Sequence, residues 1–261
     1  MTQIVAISGR KQAGKDTTAN TIVGMRMHQL ELISDFAIGE DGRLRVPSQQ
    51  EEGIVHGIFD LDRRDSEFVG WCCEQVFPYV KVYSFAGPLK DFCVRILGCP
   101  EENVWGPNEK KDELSDLLWE NTPKEIFNRW KKEKKTEPRM TYREAMQIVG
   151  EIFRGLDPDC WAKATIRQIQ AEQPLLALIR DTRYPNEVDV VQKAGGQVWR
   201  LTRTPFPDDS HSSETALDKE NFDWAKFDRV IDNAEMTLQE QVETIVNIVV
   251  ELDQKQEVAE V

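Results

Sequence analysis

The part of the chain that most restricts its fold lies near the first residue, where an apolar run leads through two glycines into a helical pattern. The run IVAI occupies residues 4–7 and is followed by SGRKQAGKDTT at residues 8–18. Gly9 and Gly14, with four residues between them, permit backbone conformations in which successive amides point inward around an anionic phosphate. The N-terminus of the following helix adds partial positive charge. The stretch therefore predicts a strand, a loop that binds a nucleoside triphosphate, and a helix.

The predicted loop also carries the side chains that a triphosphate requires. Lys15 is placed to reach the β- and γ-phosphates. The next residue is Asp16, where the common GxxxxGK[ST] pattern has Ser or Thr. Mg²⁺ could be held by the Asp16 carboxylate or by the hydroxyl of Thr17, and the sequence leaves both open. The predicted phosphate-binding residues are Gly9, Lys11, Ala13, Gly14, Lys15, Asp16 and Thr17.

Four further β-type runs follow the first, at residues 80–85, 175–179, 198–201 and 229–231, with long helical or polar stretches between them. Several are nearly continuous apolar runs, which is typical of strands that are covered on both faces in a parallel sheet. The sequence therefore predicts an α/β fold of three layers with about five parallel strands. In the last helix, Thr237 and Glu240 have the spacing of a capping box, and the acidic tail from Asp253 is expected to fray.

Two segments interrupt this alternation of strands and helices. Residues 34–66 are polar, with several glycines and a proline, and predict a loop or small insertion. Residues 105–143 are heavily charged, with interspersed leucines and tryptophans, and predict helices that stand away from the sheet. The simplest interpretation is one domain, residues 1–261, with a polar insertion at about 34–66 and a charged helical lid or acceptor-binding region at about 105–165.

Composition and charge exclude some classes of function. The 261 residues include 33 Lys and Arg against 46 Asp and Glu, a net charge of −13, which is unfavourable for direct binding of nucleic acid. We expect no membrane partner, because no run approaches the roughly 18 apolar residues of a membrane span. A cytoplasmic location is expected because no signal peptide is visible. The five cysteines lack a paired spacing and are expected to be free thiols.

A second candidate site follows the run at residues 175–179. Ligands of parallel α/β sheets bind beyond the carboxyl ends of the strands, and Asp181 and Arg183 lie at that point. The Asp181 carboxylate could accept a Mg²⁺-bound water, and the Arg183 guanidinium suits a phosphate. Glu187 could orient either of them. The alternative is a surface turn in which Asp181 and Arg183 pair with each other.

Four blocks of sequence resemble the bacteriophage deoxynucleoside monophosphate kinases. They are SG followed by GKDTT within residues 8–18, YSFAGPLKD at 83–91, DTRYPNEVD at 181–189, and LTR at 201–203 followed by HSSE at 211–214. The resemblance extends from residue 4 to about residue 233, and it implies a P-loop kinase-like fold that uses ATP and Mg²⁺. A more distant resemblance is to the animal-type phosphomevalonate kinases, which share several of these blocks.

The resemblance also implies residues that hold the acceptor nucleotide. In the family an Arg-x-x-x-Gln-x-x-Gly-Thr stretch and a following Trp have this role. Glu151 stands where the family has Thr, which affects that contact and the base preference. The Trp could stack on the acceptor base or pack in the core. The matching residues are Arg143, Gln147, Gly150 and Trp161.

Other cations could contact the same phosphate. Lys90 and Arg95 follow the second strand on a predicted helix, where a solvated helix face is the alternative. Residues 124–143 hold eight basic and three acidic residues, a net charge of +5, which leaves −18 for the remainder of the chain. A helical lid of this kind would close over the phosphates. Its preferred cations are Arg139 and Arg143, whereas the lysines from Lys131 to Lys135 are expected to be solvated.

The implied reaction transfers the γ-phosphoryl group of ATP to a deoxynucleoside 5′-monophosphate, with Mg²⁺ at Asp16, Thr17 and Asp181. The expected partners are small-molecule nucleotides, in the host cytoplasm if the chain is phage-encoded. A kinase of the phosphomevalonate type and a nucleotide-binding switch are the alternatives. The base preference and the oligomeric state stay open, and a homodimer is one possibility. The residues His211, Ser213 and Glu214 are expected to shape the adenine or lid side of the pocket. The predicted catalytic residues are Lys15, Arg143, Asp181 and Arg183, and the predicted acceptor-binding residues are Lys90, Arg95, Arg143, Gln147, Gly150, Trp161, Arg183 and Glu187.

Overall fold

The computed structural model describes residues 2–50, 53–131, 138–206 and 212–259. The strands are β1 Gln3–Ser8, β2 Ala37–Ile38, β3 Leu44–Gln50, β4 Gly53–Ile58, β5 Val80–Tyr83, β6 Leu114–Leu118, β7 Arg139–Thr141, β8 Leu176–Thr182, β9 Gln197–Leu201 and β10 Arg229–Ile231. The helices are α1 Lys15–Gln29, α2 Ser66–Gln75, α3 Gly87–Arg95, α4 Glu101–Trp105, α5 Asn108–Lys111, α6 Lys124–Lys131, α7 Tyr142–Leu156, α8 Cys160–Glu172, α9 Pro185–Lys193, α10 Ser212–Thr215 and α11 Leu238–Ala259. The chain divides into two compact units, Met1–Ser84 with Ile166–Val261, and Phe85–Thr165.

The first unit is built on a five-stranded sheet with the order β10-β9-β1-β8-β5. Every neighbouring pair in this sheet is parallel. The five apolar runs in the sequence correspond to these five strands, so the predicted α/β class and strand number are confirmed. Helices flank the sheet in a three-layer arrangement that is consistent with a P-loop kinase-like fold.

Both faces of the sheet are buried, which explains the near-continuous apolar runs. On one face, Ile7 of β1 belongs to a core that includes Ile22 of α1 and Ile245 of α11. On the other face, Ile4 of β1 and Val191 of α9 are buried and lie against the same glycine, Gly196. Burial of one such side chain contributes roughly 1.5–3 kcal/mol. The central strand β1 is therefore fixed from both sides, and so is the point at which it ends.

Residues 34–66, for which the sequence predicts a loop or small insertion, contain three strands that were not predicted. β2, β3 and β4 form a three-stranded antiparallel sheet. The proline within β3 and the glycines of this segment interrupt the alternation that would have indicated strands. In the turn after β2, Gly42 has φ 75°, and a Cβ there would stand 2.5 Å from the Thr17 hydroxyl. Only glycine therefore lets this turn approach the first turn of α1.

The last helix, α11, begins as predicted and ends later than predicted. The Glu240 carboxylate accepts a hydrogen bond from the Thr237 N–H at 2.7 Å, and the Glu240 N–H donates to the Thr237 hydroxyl at 3.2 Å, which confirms the capping box. The expected fraying from Asp253 is wrong, because the helix continues to Ala259. The Asp253 carboxylate accepts two hydrogen bonds from the Arg26 guanidinium of α1, at 2.7 and 2.9 Å. This pair joins distant parts of the chain, which local composition does not reveal.

The second unit contains α3 to α7 and a two-stranded antiparallel sheet of β6 and β7. The sequence predicts helices for residues 105–143, and these two strands were not predicted. They are 5 and 3 residues long and pair with an irregular register, so they carry no clear alternation of apolar and polar residues. One buried cluster consists of Cys93, Cys99, Val104 and Met146, and a second consists of Trp119, Ile126, Met140 and Ile148.

All five cysteines carry free thiols. Burial raises the pKa of the Cys72 thiol to about 11 and that of the Cys93 thiol to about 12. These thiols therefore stay protonated at neutral pH and pack as small apolar side chains.

Across the ranges that the structure describes, no helix has the length and apolar composition that crossing a bilayer requires.

Candidate active site

The glycine loop, residues 9–15, leaves the carboxyl end of β1 and leads into α1. Gly14 has φ 95°, in the left-handed region, and a Cβ there would stand 2.6 Å from the Gln241 amide. A Cβ on Gly9 would stand 3.0 Å from the Cβ of Ala13. Gly14 is therefore needed for its backbone conformation, as predicted, whereas Gly9 is needed for close packing, which was not predicted.

The ammonium group of Lys15 folds back over the glycine loop. Its Nζ donates to the carbonyl of Gly9 at 2.8 Å and to that of Arg10 at 2.7 Å. The residue is only 9% exposed, and this burial, together with the nearby Arg183 guanidinium, lowers the pKa of Lys15 from 10.5 to about 8. Charge interactions are stronger where water is excluded, so the position suits a cation that meets a phosphate.

Two buried amide side chains bind the carbonyl groups of the glycine loop. Asn233, which follows β10, donates from Nδ2 to the Ala13 carbonyl at 2.8 Å. Gln241 of α11 donates from Nε2 to the Gly14 carbonyl at 3.1 Å, and the two amides also bond each other at 3.1 Å. Because each peptide is planar, holding the carbonyl also fixes the direction of the following N–H. Neither residue was predicted from the sequence; the available signal was the position of Asn233 just beyond the last strand.

The turn after β8 is organised by Glu187. Its carboxylate accepts hydrogen bonds from the backbone N–H of Arg183 at 2.7 Å and of Tyr184 at 3.1 Å. Burial raises the pKa of the Glu187 carboxyl from 4.5 to about 7, and the negative charge of Asp181 adds to this effect. Glu187 therefore orients the backbone from which the Arg183 side chain projects.

The Arg183 guanidinium pairs with the Glu214 carboxylate of α10. Through its other oxygen, the same carboxylate accepts a hydrogen bond from the Lys11 N–H of the glycine loop at 2.5 Å. Glu214 therefore lies at the glycine loop, whereas the sequence analysis expected it at the adenine or lid side of a pocket. His211, which was predicted beside it, lies outside the described residues.

A second carboxylate, Asp218, binds two arginines near the same loop. It accepts hydrogen bonds from Arg10 at 2.5 Å and from Arg200 of β9 at 3.1 Å. Arg200 is 3% exposed and also donates to the Ser8 hydroxyl at 3.1 Å, while its Nε atom has no partner in the described part of the chain. None of these three charged residues was predicted, although Arg200 lies near the carboxyl end of a strand, where such residues can be sought.

Oxygen ligands for a cation lie at the start of α1 and at the end of β8. The Asp16 carboxylate is 76% exposed and lies 3.6 Å from the Arg180 guanidinium. Burial opposes the charge of Arg180, but its hydrogen bond to Asp62 raises its pKa. The charges of Asp16 and Asp181 both add to this rise, so the two carboxylates lie near the same guanidinium. The Thr17 hydroxyl instead faces the turn between β2 and β3.

These donors suit Mg²⁺ by their chemistry. Among the described residues, no group of three or more His, Cys, Asp or Glu side chains is arranged to hold a metal ion. In phosphoryl-transfer sites, however, Mg²⁺ is bound by one or two carboxylates together with substrate phosphates. Asp16 and Asp181 supply carboxylates of this kind, near the glycine loop.

Several of the other predicted residues lie in the second unit and have partners there. Arg143 of α7 donates to the Asp112 carboxylate at 2.6 Å and to the Asn108 side-chain oxygen at 3.0 Å. The Lys90 ammonium lies over the Trp105 ring, 4.4 Å from its centroid. Cations that are held by neighbours in this way can exchange those partners for a phosphate only if the phosphate binds them more strongly. Arg95 and Gln147 are exposed.

The Trp161 indole is packed within the second unit. Its Nε1 donates to the Gly150 carbonyl at 3.3 Å, and its ring lies 5.3 Å from that of Phe153. These contacts favour the packing alternative over stacking on a base. Glu151, which stands where the family has Thr, accepts a hydrogen bond from the Trp130 indole at 3.2 Å. Arg139 pairs with an aspartate, and the basic residues at 132–135 lie outside the described residues.

Comparison with known proteins gives one informative similarity. Over 148 residues the chain is 26% identical to a curated protein of Acanthamoeba polyphaga mimivirus that is named "Putative deoxynucleotide monophosphate kinase". The alignment covers 51% of this chain and 67% of that protein. No model of a protein family matches the chain. The similarity supports a kinase-like relationship, and it does not single out the bacteriophage family that the motifs resemble.

Proposed function

We propose that the chain is a deoxynucleoside monophosphate kinase of nucleotide metabolism, which phosphorylates a deoxynucleoside 5′-monophosphate with ATP. The observation that carries the proposal is the convergence of Lys15, Arg183 and the amides of the glycine loop beyond the carboxyl edge of the parallel sheet. This edge is where ligands of such sheets bind. The name of the viral relative supports the acceptor class.

The chemistry of this transfer requires positioning and cations. The bond between the γ-phosphorus and the bridging oxygen of ATP breaks, and ADP leaves with that electron pair. A new bond forms from an oxygen of the acceptor 5′-phosphate. A phosphate monoester has a second pKa of about 6, so this oxygen is already ionised at neutral pH and no general base is needed. The barrier arises mainly from charge repulsion and orientation between two anions.

The residues of the chain meet these needs in different ways. The loop amides and Lys15 bind the donor phosphates, and the low exposure of Lys15 strengthens that attraction. Arg183 faces the transferring group, where its planar fork can contact two phosphate oxygens. Of the residues predicted to bind the acceptor, Arg183 and Glu187 belong to the same unit as the glycine loop.

Asp16 and Asp181 would hold Mg²⁺, and the ion, when bound, supplies positive charge to the phosphate oxygens. Carboxylate oxygens are the ligands that this ion prefers in proteins. The test is the Mg²⁺ dependence of ATP binding in Asp16→Asn and Asp181→Asn. We expect both variants to need several-fold more Mg²⁺ for half-maximal binding, with Asp65→Asn, on the cap of α2, as an unaffected control.

The proposed function is tested by coupled measurement of ADP release with ATP, Mg²⁺ and each deoxynucleoside monophosphate, modified bases included. We expect at least one of these acceptors to raise ADP release well above the rate with ATP alone, and a deoxynucleoside diphosphate to appear in the same amount. If none of them does, the proposal is wrong. Transfer to phosphomevalonate instead would favour the second kinase class, and acceptor-independent hydrolysis would favour a nucleotide-binding switch.

A further inference from the structure

Glu214 is a buried carboxylate that connects two parts of the candidate active site. The residue is 7% exposed and belongs to the short helix α10. One carboxylate oxygen, Oε2, accepts the Lys11 N–H of the glycine loop at 2.5 Å. The other oxygen, Oε1, accepts a hydrogen bond from Nη1 of Arg183. One oxygen thus binds the glycine loop, and the other binds Arg183 in the turn after β8.

The charges around Glu214 explain why an anion is needed at this point. Arg183 lies close enough to Lys15 for its positive charge to lower the pKa of the ammonium group. Two cations this close repel each other, and Glu214 opposes the repulsion, since its negative charge acts on Lys15 in the opposite direction. The ion pair keeps the guanidinium beside the glycine loop even though the nearest cation disfavours that position.

The contact leaves most of the guanidinium for other partners. Arginine carries five N–H donors in a planar fork. The contacts with the Glu214 carboxylate and with the Ser213 hydroxyl, at 3.5 Å, both use Nη1. In the ranges that the structure describes, Nε and Nη2 of Arg183 are not engaged by these contacts. A phosphate can therefore be bound by Arg183 while Glu214 still holds it.

We propose that Glu214 is a positioning residue for phosphoryl transfer, which holds the Arg183 guanidinium against the glycine loop through its two carboxylate oxygens. This inference rests on the proposed function, and it gives a role in positioning Arg183 to a residue that the sequence placed at the adenine or lid side of the pocket. Glu214 does not touch the substrates in this role. It acts through Arg183, because a long side chain without this contact would be displaced from the transferring group, and small displacements reduce the rate strongly.

The experiment compares Glu214→Gln, Arg183→Gln and the double variant with the wild-type chain. A matched control is Asp253→Asn, which breaks the ion pair between Asp253 and Arg26. Arg26 lies on α1, eleven residues after Lys15. For each protein, kcat and the KM for ATP are measured with the best deoxynucleoside monophosphate. Calorimetry then measures binding of ADP with Mg²⁺ in the presence and absence of aluminium fluoride, which mimics a phosphoryl group in transfer. Thermal unfolding reports whether each variant is folded.

We expect Glu214→Gln to lower kcat by about 10- to 100-fold with the KM for ATP within about threefold of wild type. The gain in ADP affinity from aluminium fluoride should fall by about tenfold, and the double variant should be no worse than Arg183→Gln. Asp253→Asn should leave kcat unchanged. A kcat within twofold of wild type for Glu214→Gln would overturn the proposal, as would effects that multiply in the double variant. Tighter ATP binding with a higher kcat would also overturn it, because Glu214 would then compete with the phosphate.

The binding measurements separate this inference from the proposed function. A wild-type chain that binds ADP and aluminium fluoride but phosphorylates no deoxynucleotide refutes the proposed acceptor alone. If Glu214→Gln then loses the gain in ADP affinity that aluminium fluoride gives, the positioning role is still supported. If the variant retains this gain, the positioning role is overturned. A wild-type chain that binds no nucleotide overturns both.

Discussion

The side-chain amide of Asn233 donates a hydrogen bond to the carbonyl of Ala13 at 2.8 Å, and this contact joins the loop after β10 to the glycine loop. Asn233 is fully buried, and its Oδ1 atom accepts the backbone N–H of Thr202 at 3.1 Å and of Arg203 at 2.9 Å. The Asn233 amide therefore fixes three segments at the carboxyl edge of the sheet. They are the glycine loop, the end of β9 and the loop after β10, which carries Asn233.

Replacing Asn233 with Ala should weaken both the fold and nucleotide binding. The change leaves buried N–H and C=O groups without partners, each of which costs roughly 1–3 kcal/mol. We expect a lower free energy of unfolding in urea and, because the loop carbonyl is released, an ATP dissociation constant raised by about tenfold in the folded variant. Asn247→Ala, at an exposed position of α11, is the matched control and should change neither value. Unaltered ATP affinity in Asn233→Ala would show that the loop does not depend on this contact.

Replacing Lys15 with Ala should abolish most of the turnover while the fold remains. Loss of one group that stabilises transition-state charge typically lowers kcat by about 10²–10³-fold. The melting temperature should change little, because the variant loses the two hydrogen bonds from Nζ but also loses an ammonium charge that burial disfavours. Lys193→Ala, at an exposed position near the end of α9, controls for loss of a lysine from the same unit. Near-normal kcat in Lys15→Ala would show that the glycine loop is not the phosphate site.

The pKa of Lys15 predicts an alkaline limit to activity. The value of about 8 lies below the ordinary 10.5, so the ammonium group of the free protein loses its proton above about pH 8. We expect kcat/KM for ATP to fall above this pH, because the neutral amine attracts phosphate less. Lys15→Arg keeps its charge to a much higher pH. The activity of Lys15→Arg will be lower, but the pH at which its kcat/KM for ATP declines should be higher than in the wild type. A decline at the same pH would assign the titration to another group.

The pKa of Glu187 predicts a difference in stability that depends on pH. Its folded-state value of about 7 exceeds the ordinary 4.5, so the folded chain binds this proton more strongly than the unfolded chain. The resulting stabilisation is present below about pH 4.5 and is lost as the pH rises to about 7. Glu187→Gln does not titrate, and its amide oxygen can still accept the two backbone N–H groups. The melting temperature of the variant minus that of wild type should therefore increase from pH 4.5 to 7, and a constant difference would contradict the assignment.

The sheet and the glycine loop could be predicted because their signals are local. The apolar runs at residues 4–7 and 175–179 became parts of β1 and β8, since strands buried on both faces need mostly apolar side chains. The antiparallel strands β2 to β4 were missed, because a proline and several glycines interrupt their alternation. The helical conformation at Asp253 was missed, because Asp253 is bound by Arg26 of α1, a distant contact that local composition does not reveal.

By itself the sequence determined the parallel strands, the glycine loop and the lysine that begins α1, because apolar patterning and the conformational freedom of glycine act over a few neighbouring residues. Only the tertiary structure decided which carboxylate faces which cation. Glu214 is 31 residues from Arg183, and Asp218 is 208 residues from Arg10, yet each pair is in contact. No local pattern encodes such pairs, since they form only after the sheet brings the ends of β1, β8 and β9 together.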